Sequence, residues 1–443
     1  MIGMQKFKVL SSKKQRKTDK SVRVTFPRAT YESMCAAFSA AEAASREGYV
    51  MAQCGIAVDG SKKGWTYFVR SLHVPEPGDI VEQSSITVTP RAEFIEAVLS
   101  DAARSNNAVM EIHTHVGSRE PNFSWVDIEN GLENGRFLRE CGLRFAMAVV
   151  GSDGFSLCEY DPDHDSLQMP GSARMSIMGR EGVKDSMIHG SGASCELPQI
   201  EYLRIFIAGL DGVGFSVAAM LAGTGVKHFV LFDDGVVESN VPDALPYAAD
   251  KGKRKTKAAL NMLKNISTDL EVVQAGGAGN LKSALKGSDV IFICGADDEL
   301  KAALSEFSLK HFIPCIEART VMKGDGTGPY GRVRIYMPSA TGCSGCFTEA
   351  PAGPAAAADR STIDVNGVVS SIAVREFLGT VCGREPGHRA YDLVEYDPST
   401  GSMAQKSVGR RESCSLCGPG GVLGAGDERK PAKASRLKRA KKA

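Results

Sequence analysis

The sequence predicts an α/β protein made of two units in tandem, and three features carry that prediction. An apolar strand-like run ends in His113-Thr114-His115 and is followed by Ser124 and Asp127. A second apolar strand runs into a glycine turn, Gly209-Leu210-Asp211-Gly212-Val213-Gly214, and then into a helix of small residues. Two Cys-x-x-Cys pairs, Cys343/Cys346 and Cys414/Cys417, lie far apart in the chain.

The first unit is expected over residues 22–161, opening on the helical stretch TYESMCAAFSAAEAASREG. The run NAVMEI (107–112) leads into the histidines, and WVDIENGLENGRFL has helical spacing. Residues two apart on a strand face one side, so both imidazoles point together. Residues three apart at a helix start share a face, which joins Ser124 to Asp127. Two histidines and one carboxylate form a catalytic zinc set with a fourth position left for water. The serine is then available to steady an oxyanion.

The His-x-His…Ser-x-x-Asp pattern resembles the JAB/MPN metalloisopeptidases, whose signature is the JAMM motif. That family cuts ubiquitin-like proteins from conjugates or trims their C-termini. The resemblance implies zinc on His113, His115 and Asp127, with Ser124 at the oxyanion. It also implies a glutamate base on an earlier strand. Glu47, ahead of the apolar run ending in Cys54-Gly55, is the first choice; Glu42 and Glu111 compete. Glu111, two before His113, faces the metal side and could instead support a ligand. Without a base the unit would bind zinc without cutting.

A polar linker is expected over 162–173 and the second unit over 174–423. Strand, glycine turn, helix and strand open a Rossmann-type fold. Glycines let the backbone approach phosphates, whose charge meets the helix N-terminus. Asp233, after the second strand, is placed for a ribose hydroxyl. Taken alone the turn points to NAD. The continuation argues otherwise: Val237-Glu238-Ser239-Asn240, then Gly252-Lys253-Arg254-Lys255, then a strand ending in Cys294 before Gly295-Ala296-Asp297-Asp298, then the cysteine pairs.

This order resembles the ThiF/MoeB and ubiquitin-activating superfamily, which adenylates the C-terminal carboxylate of ubiquitin-fold proteins. The resemblance implies ATP on Gly209, Gly212 and Gly214, with Asp233 on its ribose. Asn240 and Lys255 would face the phosphates and Asp297 would hold Mg2+. It also implies a homodimer through this unit. The four cysteines read as one structural zinc knuckle.

Three departures stand out. Asp243 falls where an arginine is expected after Ser-Asn, with Arg254 or Lys253 as possible substitutes. Arg174, with Gly179, Glu181 and Gly182, is the nearest match to an N-terminal arm that reaches a partner subunit. The crossover loop FTEAPAGPAAAADRSTIDVNGVV holds no cysteine for a thioester, and Cys382 is remote.

The 443 residues suffice for two or three cores, and a formal net charge of +1 argues against specific nucleic-acid binding. Residues 1–21 and 424–443 are basic and poor in large apolar residues, so both are expected to be flexible arms. The run Gly418–Gly426 is expected to be a flexible exit from the knuckle. No run is long enough for a membrane helix, the N-terminus lacks a signal-peptide core, and the scattered cysteines suit a reducing, cytoplasmic setting. The expectation is a fusion that trims or deconjugates a ubiquitin-like protein and activates its carboxylate, as in bacterial ubiquitin-like conjugation, with a conjugating enzyme or a sulfurtransferase as further partner. The alternatives are sulfur-carrier activation for cofactor synthesis and a degenerate scaffold for ubiquitin-fold proteins.

Overall fold

The computed structural model describes residues 16–17, 20–58, 64–119, 121–152, 154–180, 182–188, 195–196, 200–238, 250–322, 328–347, 363–381 and 391–427. In chain order the first unit begins β1 (Arg16–Lys17), β2 (Ser21–Pro27), α1 (Arg28–Ala43), β3 (Tyr49–Val58) and β4 (Gly64–His73). It continues β5 (Ile80–Gln83), β6 (Val88–Pro90), α2 (Ala92–Arg104), β7 (Ala108–Thr114) and α3 (Trp125–Glu140). It closes with β8 (Phe145–Val150), β9 (Phe155–Asp161), β10 (Ser166–Met169), β11 (Ser172–Gly179), β12 (Gly182–Ile188) and β13 (Cys195–Glu196).

These strands make one 11-stranded sheet in the order β1-β10-β9-β8-β7-β3-β4-β2-β11-β12-β13, while β5 and β6 form a separate hairpin. β3 is buried along almost its whole length, as a central strand covered on both faces must be. One apolar cluster (Val24, Phe26, Val50, Met110 and others) fills one face. Another, including Met51, Val98, Leu138 and Met147, packs α2 and α3 on the opposite face.

The second unit runs β14 (Arg204–Ala208), α4 (Gly212–Gly223), β15 (His228–Phe232), α5 (Lys255–Ile266), β16 (Glu271–Ala275), α6 (Leu281–Leu285) and β17 (Val290–Ile293). Then come α7 (Asp298–Lys310), β18 (Cys315–Met322), β19 (Pro329–Tyr336), α8 (Ile363–Glu376), β20 (Leu393–Asp397) and β21 (Ser402–Lys406). Its sheet order is β16-β15-β14-β17-β18-β19-β20-β21. The first five strands are parallel and the last three run antiparallel. The order reverses between β14 and β17, so the loops after those two strands flank the crevice where such sheets bind ligands.

The structure differs from the sequence reading at three places. Residues 162–173 are not only a linker: β10 lies inside them, and β11 begins there as part of the first sheet. Arg174 sits in β11, opposite Arg23 of β2, and Gly179 and Gly182 close the β11–β12 hairpin, so this stretch is not a free arm. The sheet captures it because alternate residues Ala173, Met175 and Ile177 are apolar and buried.

The third difference is the glycine-rich run after the knuckle. Residues 418–427 form a strap between the units. Gly424 and Gly426 donate N–H groups to Leu309 and Lys310 at the end of α7, and Asp427 N–H reaches Ile56 of β3. Arg70 of β4 donates to the carbonyls of Leu423 (3.0 Å) and Gly421 (2.9 Å). Asp427 accepts from Val58 N (3.1 Å) and faces His311 Nε2 (3.2 Å). β7 pairs with β3 only as far as Cys54, which leaves the later β3 groups to the strap. Backbone hydrogen bonding thus overrides the flexible composition.

Candidate metal centre and nucleotide turn

The candidate metal centre is built where β7 ends and α3 begins. His113 is buried near the end of β7, and His115 follows one residue past it. Asp127 is in the first turn of α3, whose start is fixed by a reciprocal cap. The Ser124 hydroxyl accepts from Asp127 N (3.1 Å), and Asp127 Oδ2 accepts from Ser124 N (2.6 Å). Accepting there leaves the serine's own hydroxyl proton able to donate.

The three ligand atoms converge. His113 Nε2 and His115 Nε2 are 3.3 Å apart; Asp127 Oδ1 lies 3.1 Å from the first and Asp127 Oδ2 3.3 Å from the second. Zinc at about 2.0 Å from each ligand would set tetrahedral edges of about 3.3 Å. The donor set and its spacing therefore fit zinc, with one vertex left over. Burial works against ionising Asp127, but both imidazoles outweigh it and hold the carboxyl well below its usual range.

These residues line a cavity of about 350 Å3 together with Glu47, Tyr49, Glu111 and the tip of the β5–β6 hairpin. Glu47 precedes β3, where Tyr49 pairs with His113. Its backbone is gripped by the hairpin: Glu47 N–H donates to Ser84 O (2.8 Å), and Gln83 Nε2 donates to Glu47 O (2.7 Å). Burial pushes the Glu47 carboxyl up, and the two imidazoles pull it partly back. Glu111 is turned to other work. Its buried carboxylate accepts from Asn134 Nδ2 of α3 (3.1 Å) and from the Tyr49 hydroxyl, tying helix to strand beneath the ligands.

Two determinants escaped the sequence reading. A side chain at Gly131 of α3 would collide with Met147 of β8, so the glycine allows the close approach that brings Asp127 to the histidines. The clue was a helix carrying glycines at 131 and 135, costly unless packing needs them. Asn134, three residues on, had no such signal.

The four cysteines meet as the spacing suggests. Sulfur separations are 3.8 Å for Cys343–Cys346 and 3.5 Å for both Cys343–Cys414 and Cys346–Cys417. Zinc–sulfur bonds of about 2.3 Å imply edges of about 3.8 Å, so the cluster fits a structural zinc. Burial pushes Cys343 up, whereas Cys414, despite burial, is brought down to about 6 by N–H groups of Cys417 and Leu416. Asp392, wholly buried, braces both knuckles. It accepts from Gly342 N (3.1 Å), Val408 N (2.9 Å) and Gly409 N (2.7 Å), and pairs with Arg180 of the first unit (2.9 Å).

At the nucleotide turn, Gly209 has φ +84°, and a side chain there would strike Gly295 after β17. Gly212 and Gly214 open α4, and a side chain at 214 would strike the Gly209 carbonyl. Asp233 does not project freely: it accepts from Leu210 N (2.7 Å) and Gly235 N (2.6 Å), tying the turn to β15. Asp297 caps α7 through Leu300 N (2.8 Å). Lys255 begins α5 and reaches Asp211 inside the turn. Lys253, a proposed substitute cation, is held by Asp250 (2.9 Å). Asn240, Asp243, Glu181, Cys382 and the crossover loop 351–358 lie outside the described residues.

A model of the ThiF family matches residues 187–416. The chain belongs to the ThiF family. Its ThiF unit, an E1-like adenylating domain, fills the C-terminal half and contains both the glycine turn and the four cysteines. Similar proteins include the adenylyltransferase and sulfurtransferase UBA4 of Yarrowia lipolytica, 23% identical over 255 residues, 54% of this chain and 61% of that one. Ubiquitin-like modifier-activating enzyme 5 of Arabidopsis thaliana is 24% identical over 234 residues (48% and 50%). The SAMP-activating enzyme E1 of Haloferax volcanii is 26% identical over 231 residues (49% and 82%). The chain spans about half to three fifths of the length of the first two. No described helix is long and apolar enough to cross a membrane.

Proposed function

We propose that this ThiF-family chain joins two activities on one substrate class, the C-terminal tail of a ubiquitin-like protein. The second unit adenylates the terminal carboxylate with ATP and Mg2+. The first is a JAMM-type zinc peptidase that trims or deconjugates the same tail, exposing that carboxylate. The observation that carries the peptidase reading is the convergence of two imidazole nitrogens and the Asp127 carboxylate, 3.1–3.3 Å apart, in one cavity with Glu47. Family membership and the activating enzymes among the relatives support the adenylation reading.

In the peptidase, His113, His115 and Asp127 would hold a zinc ion, which would supply Lewis acidity. Glu47 takes the proton of the attacking water and passes it to the leaving amine, a role that burial favours by raising the carboxyl's hold on a proton. Ser124 donates its hydroxyl proton to the oxyanion growing on the scissile carbonyl. In the ThiF unit the turn Gly209–Gly214 and the α4 N-terminus receive phosphates. Lys255 offsets their charge, and Asp297 is the carboxylate for Mg2+. Its cap bond to Leu300 N uses Oδ1 and leaves Oδ2 for that role.

The crossover loop lacks cysteine, and one relative is named for adenylyltransfer and sulfurtransfer. Handing the adenylate to an external sulfur donor, to give a thiocarboxylate, is therefore the second reading.

Zinc content and cleavage of a ubiquitin-like fusion, measured on the wild type and on His113→Ala/His115→Ala, test the first unit. Two zincs per chain should fall to one, with cleavage lost and ATP–pyrophosphate exchange kept. An unchanged zinc content in the variant would remove the peptidase reading.

A further inference from the structure

Charge in the nucleotide turn is arranged unusually for an anion site. Asp211 sits between Gly209 and Gly212 as the residue preceding α4, yet its carboxylate makes no cap bond to the helix. One oxygen takes Lys255 Nζ. The other stands over Gly295, where an added Cβ would come within 2.8 Å of it. The Asp211 carboxylate therefore ties the turn after β14 to Lys255 at the start of α5 and faces Gly295 after β17 across the crevice.

A helix N-terminus attracts negative charge, and Asp211 places one there already. Asp233 spends both carboxylate oxygens on backbone N–H groups, and Asp297 spends one. Lys253 is engaged by Asp250. Lys255 reaches the turn, and Asp211 holds it. Phosphate oxygens entering the turn must compete with Asp211 for one ammonium. Drawing Lys255 onto a phosphate strands Asp211 beside like charge.

Resting on the nucleotide reading above, we propose that Asp211 is a specificity-determining residue: it holds Lys255 and makes the turn accept a nucleoside triphosphate as its divalent-cation complex and reject the free anion. A divalent cation resolves the competition because it offsets the Asp211 carboxylate at the moment Lys255 is released to phosphate. The proposal differs from assigning Mg2+ to Asp297, because it makes a residue of the glycine turn set the cation requirement.

The test is binding of a non-hydrolysable ATP analogue to the full chain by calorimetry, in MgCl2 and in EDTA. Wild type, Asp211→Asn and Lys255→Ala are compared, with thermal melts confirming that each folds; asparagine also suits the position before a helix. Wild type should bind far more tightly in Mg2+. Asp211→Asn should gain about tenfold in EDTA, close to the energy of one charge pair at about 4 Å in water, and narrow the gap. Lys255→Ala should widen it, since Asp211 is left unpaired. An equal Mg2+/EDTA ratio in wild type and Asp211→Asn overturns the proposal and leaves the nucleotide reading standing. No binding by any folded variant in Mg2+ overturns both.

Discussion

The metal cleft and the nucleotide turn are unequally prepared. In the first unit, two imidazole nitrogens and a carboxylate converge within 3.1–3.3 Å of one another, with a glutamate lining the same cavity. In the ThiF unit the backbone cradle is built, but its lysine is held by an acid of the same turn. The metal ligands come from one strand end and one helix start joined by a short loop, so local structure aligns them. The phosphate site draws charge from three separate loops, and its electrostatics can oppose its backbone geometry. Stereochemical readiness and electrostatic readiness are separate properties, and this molecule divides them between its halves.

The comparison can be broken most forcefully at the cysteines. Cys343→Ala/Cys346→Ala should remove one zinc per chain, and apparent zinc-binding energies of about 10–16 kcal/mol in small thiolate sites imply a large loss of stability. The effect should cross into the first unit, because the strap leaves Cys417 and ends on β3. Hydrogen exchange at Ile56 and Val58 should quicken, while the His113/His115 zinc is retained. Unchanged exchange there would mean that the strap holds without the knuckle.

A smaller intervention separates backbone from charge in the second unit. Gly209→Ala places a Cβ at φ +84° against Gly295. A cost of about 1–3 kcal/mol is expected, together with loss of nucleotide binding. Zinc content and the proposed peptidase activity should not change. Nucleotide binding that survives at wild-type affinity would show that the turn is not the cradle.

Much of this was legible in the sequence because the carriers are local. His-x-His, Ser-x-x-Asp, the glycine turn and both cysteine pairs lie within short windows, and strand or helix geometry alone brings each set to one side. The role of Gly131 depends on Met147, which the sequence does not place against α3. The strap was misread because glycine-rich composition signals freedom, whereas unpaired backbone groups on β3 and at the end of α7 decide its conformation. Asp233 and Asp297 follow β15 and β17, and nothing in their spacing says that backbone N–H groups engage them. Arg174 shows the limit of motif echo, since alternation of apolar residues drew it into the first sheet.

The smallest expected effect sharpens the account of the metal cleft. Burial raises the Glu47 carboxyl in the folded chain above its unfolded value. A raised group binds its proton more tightly when folded, so its contribution to stability is present below the unfolded carboxylate range, about pH 4.3, and is lost as pH rises through the raised value. At neutral pH an ionised, buried Glu47 therefore weighs against the metal-free fold. Glu47→Gln should raise the melting temperature of metal-free protein at pH 7–8 by about 1–2 °C, modest because solvent screens part of the penalty. The gain should vanish near pH 4, where both proteins carry a neutral side chain. Zinc should shrink the gain at neutral pH, since the cation favours the carboxylate. A gain equal at all pH values would assign the effect to packing and leave Glu47 without the burial-tuned carboxyl that its role as base requires.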